Sequence, residues 1–216
     1  MSPPIACRVV GGAAFAADKA ALERAVRQII ALDHRVYETV SHGHIGGFEQ
    51  WLPIFRQHPD TWRALADHDG NIIAYWQIAA LNGAAFAQAK SGLLHPADLC
   101  NRDYEALTAP GQHRLYFASF CIAPEWRTTR IHWALIDSFF AVAEGLAARG
   151  SFIDEVAAIA HSQEGRRICE TLGLSSHGPA REHGECFCGP FTAIVQRMAP
   201  LLRRRRPGLL VLYRIG

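Results

Sequence analysis

An arginine-rich segment between an apolar run and a helical pattern has the residue types to hold an anion. Residues 123–132 (APEWRTTRIH) follow the β-rich run 115–122 and precede a long amphipathic stretch. Backbone N–H groups at a helix N-terminus, placed beside the end of a strand, bind anionic phosphate groups. We therefore predict an anion-binding loop here, to which Arg127 and Arg130 add positive charge.

Carboxylates and a hydroxyl near the same strand are candidates for proton transfer. Glu125 lies just past the strand, where a general base could reach a bound amine, and Ser119 on the strand could order a water molecule. Asp154 and Glu155 lie on the next predicted strand, where period-2 alternation allows only one of them to face a cleft. Solvated charge at a strand end is the alternative for each carboxylate.

Hydrophobic periodicity places these residues on a mixed α/β (α+β) framework. Apolar residues at helical spacing alternate with β-rich runs, and Gly or Asp-Gly ends several of these segments. Helices are predicted at residues 17–32, 48–57, 128–149 and 163–172, and strands at residues 61–66, 72–79, 115–122, 152–160, 175–181 and 185–191. The Asp69-Gly70 pair predicts a hairpin. We expect residues 152–160 to pair beside 115–122 in one central sheet flanked by helices.

Length and composition fit one domain of 216 residues, with an insertion at about 82–113 and a basic and apolar tail at about 199–216. A net charge of +2 does not predict a nucleic-acid partner. No apolar run approaches the roughly 18 residues that span a bilayer, and the N-terminus does not resemble a secretory signal. Six scattered cysteines are typical of reduced thiols, so we predict a cytoplasmic protein without a membrane partner.

A His/Cys cluster and an arginine cluster each have both a functional and a purely structural interpretation. His177, His183, Cys186 and Cys188 could bind zinc, but two cysteines on one strand face lie about 7 Å apart, so no metal is predicted. The arginines at 203–206 precede an apolar run. They predict a basic linker before a final strand, and contact with anionic lipid or nucleic acid is the alternative.

Three segments together resemble the GCN5-related N-acetyltransferase (GNAT) superfamily over about residues 61–191. Residues 69–76 (DGNIIAYW) resemble that family's hairpin into its third strand. Residues 122–127 (IAPEWR) resemble its fourth strand entering the pyrophosphate loop. Residues 162–174 (SQEGRRICETLGL) resemble its helix and turn after the fifth strand.

The resemblance implies a V-shaped opening between the fourth and fifth strands that holds the pantetheine of an acyl-CoA such as acetyl-CoA. Pantetheine would pair with Phe120, Cys121 and Ile122, and Ser162, ahead of the helix that follows the fifth strand, is also implied in cofactor binding. The residues implied in phosphate binding are Arg127, Thr128, Thr129, Arg130, Ile131 and His132. The implied reaction is direct acyl transfer to an amine of a small molecule or peptide, in a possible homodimer.

The chain also departs from the family pattern. Arg127, Arg130 and His132 occupy the loop's conserved slots, the last two of which are normally small residues. Arg130 either replaces geometric fit by charge or blocks the loop. Cys169 stands where the family has the tyrosine that protonates the departing thiolate, and a small buried hydrophobe is its alternative role. Ser162 replaces an asparagine and is expected to cap the helix.

The resemblance and these departures together leave three possible functions. The favoured one is acyl-CoA-dependent acyl transfer. The others are acyl transfer from an acyl carrier protein and a catalytically degenerate domain used for binding or regulation.

Overall fold

The fold is built around one mixed β-sheet with helices on both faces. The computed structural model describes residues 7–15, 18–37, 45–128, 130–181 and 183–215. Its strands are β1 (Arg8–Gly11), β2 (Trp62–Ala66), β3 (Ile72–Ala80), β4 (Gly111–Ile122), β5 (Ser151–Ala160), β6 (Ser175–Pro179) and β7 (Glu185–Pro190). Its helices are α1 (Lys19–Val36), α2 (Phe48–Gln57), α3 (Gly83–Lys90), α4 (Ile131–Ala147), α5 (Gln163–Thr171), α6 (Phe191–Arg197), α7 (Ala199–Arg205) and α8 (Pro207–Leu212). The predicted mixed α/β class is confirmed.

The sheet has the order β1-β2-β3-β4-β5-β7-β6. β4 and β5 are parallel and α4 connects them, while the other neighbouring strands are antiparallel. The predicted pairing of β5 beside β4 is therefore confirmed. So is the β2–β3 hairpin, in whose turn the Asp67 carboxylate accepts hydrogen bonds from the N–H groups of Asp69 and Asn71. Gly70 supplies the positive φ of 85° that this turn requires.

Alternation along the strands divides the core into two layers. Trp76 of β3 packs with α4, α5 and the C-terminal helices, and we call this side of the sheet the α4 face. Tyr75, the preceding residue, packs with α1, α2 and α3 on the opposite side, the α1 face. Both aromatic side chains are fully buried. Each face therefore carries its own hydrophobic cluster, and a side chain's face decides which groups it can contact.

The ends of the chain differ from the sequence-based expectations. β1 was not predicted, because four residues ending in glycine carry little strand signal; it pairs with β2 from Arg8↔Ala66 to Gly11↔Arg63. The predicted final strand is wrong, since residues 199–212 form α7 and α8. Pro207 begins α8, where a missing N–H costs nothing, and a short apolar run does not distinguish a strand from a helix.

The arginine run in the tail contributes to the packing of the C-terminal helices against α4. Arg206 pairs with Asp137 of α4, with 2.9 Å between Nη2 and Oδ2. Leu209 and Leu210 are buried in the α4-face cluster. Among the described residues, no helix is both long enough and apolar enough to cross a membrane.

Candidate functional site

β4 and β5 separate at one end of the sheet. Their pairing runs from Gly111↔Ser151 to Phe117↔Ala158, whereas β4 continues beside β3 as far as Ile122↔Ala74. β5 continues beside β7 to Ala160↔Glu185. The backbone of residues 118–122 therefore pairs on its β3 side and is open on its β5 side. An extended ligand with amide groups can pair with such an edge.

A β-bulge lies at the point of separation. Gln77 of β3 pairs with Ser119 and Ile78 pairs with Phe117, so Ala118 is an extra residue in β4. A bulge bends its strand and changes which face the following side chains occupy. Uninterrupted alternation would put Ser119 on the α4 face with Phe117, but the bulge turns it to the α1 face.

The loop between β4 and α4 presents arginines to solvent. Arg127, Thr128 and Arg130 are exposed, and Arg130 is the residue that precedes the first turn of α4. The Nε of Arg127 donates to the carbonyl of Ile122 at 3.3 Å. The side chain of Arg130 is thus at the surface and not buried between the strands. This placement suits the charge-based interpretation of the loop.

The remaining predicted loop residues lie around the start of α4. Ile131 is buried in the α4-face cluster, and the half-buried His132 has its ring centroid 5.0 Å from that of Trp133. Thr129 lies outside the described residues. On β4, Phe120 and Ile122 pack against the α4-face cluster, and Cys121 belongs to the α1-face cluster.

On the α1 face, a pocket opens beside the separating strands. Its cavity volume is about 40 Å³, which is room for a few water-sized groups. Ala118 and Ser119 of β4 line it just past the last β4–β5 pair, and His161 lines it just past the end of β5. The last turn of α1 supplies Asp33, and β3 supplies Gln77.

Asp33 lies at the centre of a hydrogen-bonded group in this pocket and is 8% exposed. Its Oδ2 accepts a hydrogen bond from the Tyr75 hydroxyl at 2.5 Å, and its Oδ1 accepts one from the Ser119 hydroxyl at 3.4 Å. The hydroxyls of Tyr37 and Ser119 are 3.4 Å apart. Burial raises the pKa of Asp33 to about 7, although hydrogen bonds from Tyr75, Ser119 and Cys121 oppose the change. Near neutral pH this carboxyl can therefore accept or release a proton.

Asp33 was not predicted as a site residue, although its position on α1 carries a signal. Leu22, Val26 and Ile29 form the buried stripe of α1, and Asp33 continues this stripe at the same helical spacing. A carboxylate on the apolar stripe of an amphipathic helix has to be buried. That position distinguishes Asp33 from Glu125 and Asp154, which are exposed.

Glu125, a predicted base, lies at the surface in an ion pair. Its Oε2 is 2.8 Å from Nη2 of Arg35, and the two side chains are 54% and 56% exposed. A backbone N–H hydrogen bond and the Arg35 guanidinium lower its pKa. Of the carboxylates on β5, Glu155 contacts Lys90 at 2.6 Å and accepts a hydrogen bond from Cys188 at 3.0 Å, while Asp154 is exposed. Ser119 is thus the predicted catalytic residue that the structure brings to the pocket.

The two predicted residues of α5 lie at different depths. Cys169 is buried in the α4-face cluster, and burial raises the pKa of its thiol to about 12. Ser162 caps α5, because its hydroxyl accepts a hydrogen bond from the N–H of Gly165 at 3.0 Å. The expected capping role of Ser162 is therefore confirmed.

No protein-family model and no curated protein sequence matches the chain. Solved structures with the same fold do match. The GphF GNAT-like decarboxylase in complex with isobutyryl-CoA is 13% identical over 86% of this chain and 98% of its own, with a TM-score of 0.54. Ard1 from Thermoplasma volcanium is 10% identical over 86% and 98%, with a TM-score of 0.51. The GNAT-family N-acetyltransferase YhbS from Escherichia coli, in complex with CoA, is 12% identical over 90% and 87%, with a TM-score of 0.50.

These likenesses show the fold. The chain has the GNAT fold, as its sequence motifs predicted.

Proposed function

We propose that the protein transfers an acyl group, the acetyl group in the simplest case, from acyl-CoA to an amine. The observation that carries this proposal is that β4 and β5 separate at a point that lies between an arginine-bearing loop and a pocket. Exposed arginines lie beside the opening in the loop that leads into α4, and a pocket with a buried carboxyl lies beside it on the α1 face. A thioester between the strands would be accessible to an amine in that pocket.

The residues at the opening fit a CoA thioester. The open backbone edge of residues 118–122 suits the amide groups of pantetheine. The guanidinium groups of Arg127 and Arg130 suit phosphate oxygens, and the start of α4 adds a favourable dipole. Two of the similar structures, the GphF decarboxylase and YhbS, were determined with bound isobutyryl-CoA and CoA.

In this proposal, Asp33 accepts the proton that the amine must lose. An ammonium ion entering the pocket gives a proton to the Asp33 carboxylate, and the free amine nitrogen forms a bond to the thioester carbonyl carbon. The carbon–sulfur bond breaks, and the CoA thiolate takes up the second proton, which the nitrogen loses as the amide forms. Tyr75 and Ser119 hold the carboxyl in place through their hydrogen bonds. A pKa near 7 is well matched to this proton transfer at neutral pH.

Turnover against a panel of amines tests the proposal directly, with release of free CoA thiol as the measurement. We expect amine-dependent thiol release with wild-type protein and a strong loss with Asp33→Asn. Asp69→Asn removes an exposed carboxylate from the β2–β3 turn and is the matched control. Because one similar structure is named a decarboxylase, the assay includes a carboxylated acyl-CoA and measures released CO₂.

The missing glycines of the phosphate loop favour a second candidate, transfer from an acyl carrier protein. That donor relies less on close backbone approach to a diphosphate. Retention of this protein on an immobilised acylated carrier, with no response to CoA, would select that donor. Absence of turnover with both donors would select a degenerate domain used for binding. A cytoplasmic location stays a prediction.

A further inference from the structure

We infer that a second cavity, at the opposite end of the sheet from the opening between β4 and β5, binds a free amino acid with an apolar side chain. Asp154 holds the ammonium group of this zwitterion, and Arg214 holds its carboxylate. The cavity is separate from the pocket around Asp33, so the inference stands or falls independently of the proposed acyl transfer. Position, backbone geometry, charge and lining support it.

The cavity lies where β4 and β5 begin, beside the end of α8. Gln112 of β4 and Phe152 of β5 pair with each other, and both line it. Gln112 is about 20 Å along β4 from Ser119, which lines the pocket at the other end of the strand. The cavity volume is about 210 Å³, against about 40 Å³ for the pocket around Asp33. A small organic molecule therefore fits this second cavity.

A β-bulge turns Asp154 toward this cavity. Ile153 and Glu155 pair with consecutive residues of β4, so Asp154 between them is an extra residue in β5. Uninterrupted alternation from Ile153, which is buried in the α4-face cluster, would place Asp154 on the α1 face. Counted back from Val156, also in the α4-face cluster, Asp154 falls on the α4 face instead. The bulge therefore brings this carboxylate to the side of the sheet on which α8 packs, where it lines the cavity.

The end of α8 places Arg214 at the same cavity. The N–H of Ile215 donates to the carbonyl of Leu210 at 2.9 Å, and the N–H of Arg214 donates to that of Val211 at 3.0 Å. These are the two hydrogen bonds of a Schellman motif, in which the residue after the cap has a positive φ and is usually glycine. Here that residue is Arg214, with a φ of 55°. The chain thus has an arginine where glycine would be less strained, and this arginine lines the cavity.

The cavity carries one negative and one positive charge. In the part of the chain that the structure describes, Asp154 and Arg214 form no ion pair with each other or with another charged side chain. The charge of Asp154 still reaches the cavity wall. Burial raises the pKa of Tyr213 to about 12, and Asp154 acts in the same direction. A carboxylate and a guanidinium that share a cavity without pairing are complementary to a ligand with one ammonium and one carboxylate group.

The remaining lining suits the other parts of an amino acid. The hydroxyl of Tyr213 accepts a hydrogen bond from the N–H of Ile153 at 2.7 Å, so its own hydrogen remains available to a ligand carboxylate. Phe152, Pro190 and Leu212 provide an apolar wall. The rings of Phe152 and Tyr213 pack edge to face with their centroids 5.6 Å apart, which fixes this wall. An apolar side chain of the ligand would be covered there.

A titration of the full chain with leucine, followed by nuclear magnetic resonance, tests this inference. The comparison ligands are leucinamide, which lacks the carboxylate, and isocaproate, which lacks the ammonium group. We expect leucine to bind wild-type protein at least about tenfold more tightly than either one. Asp154→Asn and Arg214→Gln should each raise the Kd for leucine at least about tenfold. The matched controls Asp69→Asn and Arg24→Gln change exposed residues elsewhere and should leave that Kd unchanged.

Two more variants separate binding at this cavity from effects on folding and from binding at the Asp33 pocket. Arg214→Gly removes the guanidinium but suits the positive φ, so this variant should melt no lower than wild type and should still lose affinity for leucine. Asp33→Asn should keep the wild-type Kd for leucine, because Asp33 lies at the other pocket.

The inference is overturned if millimolar leucine does not bind, or if leucine binds wild-type protein no more tightly than leucinamide or isocaproate. It is also overturned if Arg214→Gly binds leucine as wild type does, or if Asp33→Asn abolishes binding. The comparison of the three ligands uses wild-type protein alone, so a destabilised variant leaves the test decisive. Acyl transfer is measured separately by thiol release, and its failure would leave leucine binding as evidence for this cavity.

Discussion

The hydroxyl of Tyr75 donates a hydrogen bond of 2.5 Å to the carboxyl of Asp33, and both side chains are buried. The contact joins β3 to the last turn of α1, and it holds the carboxyl at the wall of the pocket. Ser119 reaches the second carboxyl oxygen from β4. Three separate elements therefore position one ionisable group next to the opening between β4 and β5.

Replacing Asp33 by asparagine should stabilise the protein at alkaline pH. The folded pKa of about 7 lies above the ordinary value of 3.8, so the contribution of this carboxyl to stability is complete below about pH 4 and is lost as pH rises through 7. The neutral amide of the Asp33→Asn variant would avoid that loss and should raise the unfolding free energy by about 2–4 kcal/mol at about pH 8. Thermal unfolding of both proteins between about pH 4 and pH 8 measures this difference. A variant that is less stable than wild type at pH 8 would contradict the buried, desolvated state of the carboxyl.

Reversing the charge of Arg130 should weaken CoA binding. A guanidinium contributes a charge-assisted hydrogen bond to phosphate, so Arg130→Glu should raise the Kd at least about tenfold, and added salt should weaken wild-type binding. Titration calorimetry with CoA measures the effect. Arg24→Glu makes the same change of charge at an exposed position of α1, on the other face of the sheet, and should bind CoA as wild type does. Equal Kd values for the two variants would reject the charge-based phosphate loop.

Removing the hydroxyl of Ser119 should shift the pH profile of turnover. Its hydrogen bond to Asp33 opposes the effect of burial, so Ser119→Ala should raise the pKa of Asp33 further and move the acidic limb of kcat/KM toward higher pH. Ser138→Ala is the matched control, since Ser138 is a buried serine of α4 that accepts a hydrogen bond from Trp76 at 2.8 Å. Both variants should lose about 1 kcal/mol of stability, but Ser138→Ala should leave the pH midpoint unchanged. A common pH midpoint would mean that Ser119 has only a structural role.

Replacing Cys169 tests the proton donor that the resemblance implied. Its thiol has a pKa of about 12, so proton transfer to a departing thiolate would be uphill. We expect Cys169→Ala to retain turnover within about threefold and to lose about 1–2 kcal/mol of stability, because a buried side chain is truncated. A loss of about 100-fold in kcat with unchanged KM would instead establish Cys169 as the donor.

Local patterns in the chain were enough to predict the framework. The Asp69-Gly70 turn, the apolar stripe of the helix after β4, and Ser162 ahead of α5 each act through short-range geometry, and the structure shows the hairpin, the helix and the cap. The tail was mistaken for a strand because its helical form depends on burial of Leu209 and Leu210 against distant elements. Packing between remote segments has no local signature.

The candidate site depended on long-range geometry. The amino-acid order alone determined the GNAT-like succession of elements and the arginines at the start of α4, since both follow from neighbouring residues. Which carboxyl enters the pocket was decided by tertiary packing, because Asp33 meets Tyr75 and Ser119 across 42 and 86 residues of chain. One extra residue, Ala118, turns Ser119 toward Asp33, and strand periodicity cannot predict such a bulge because it breaks the two-residue repeat.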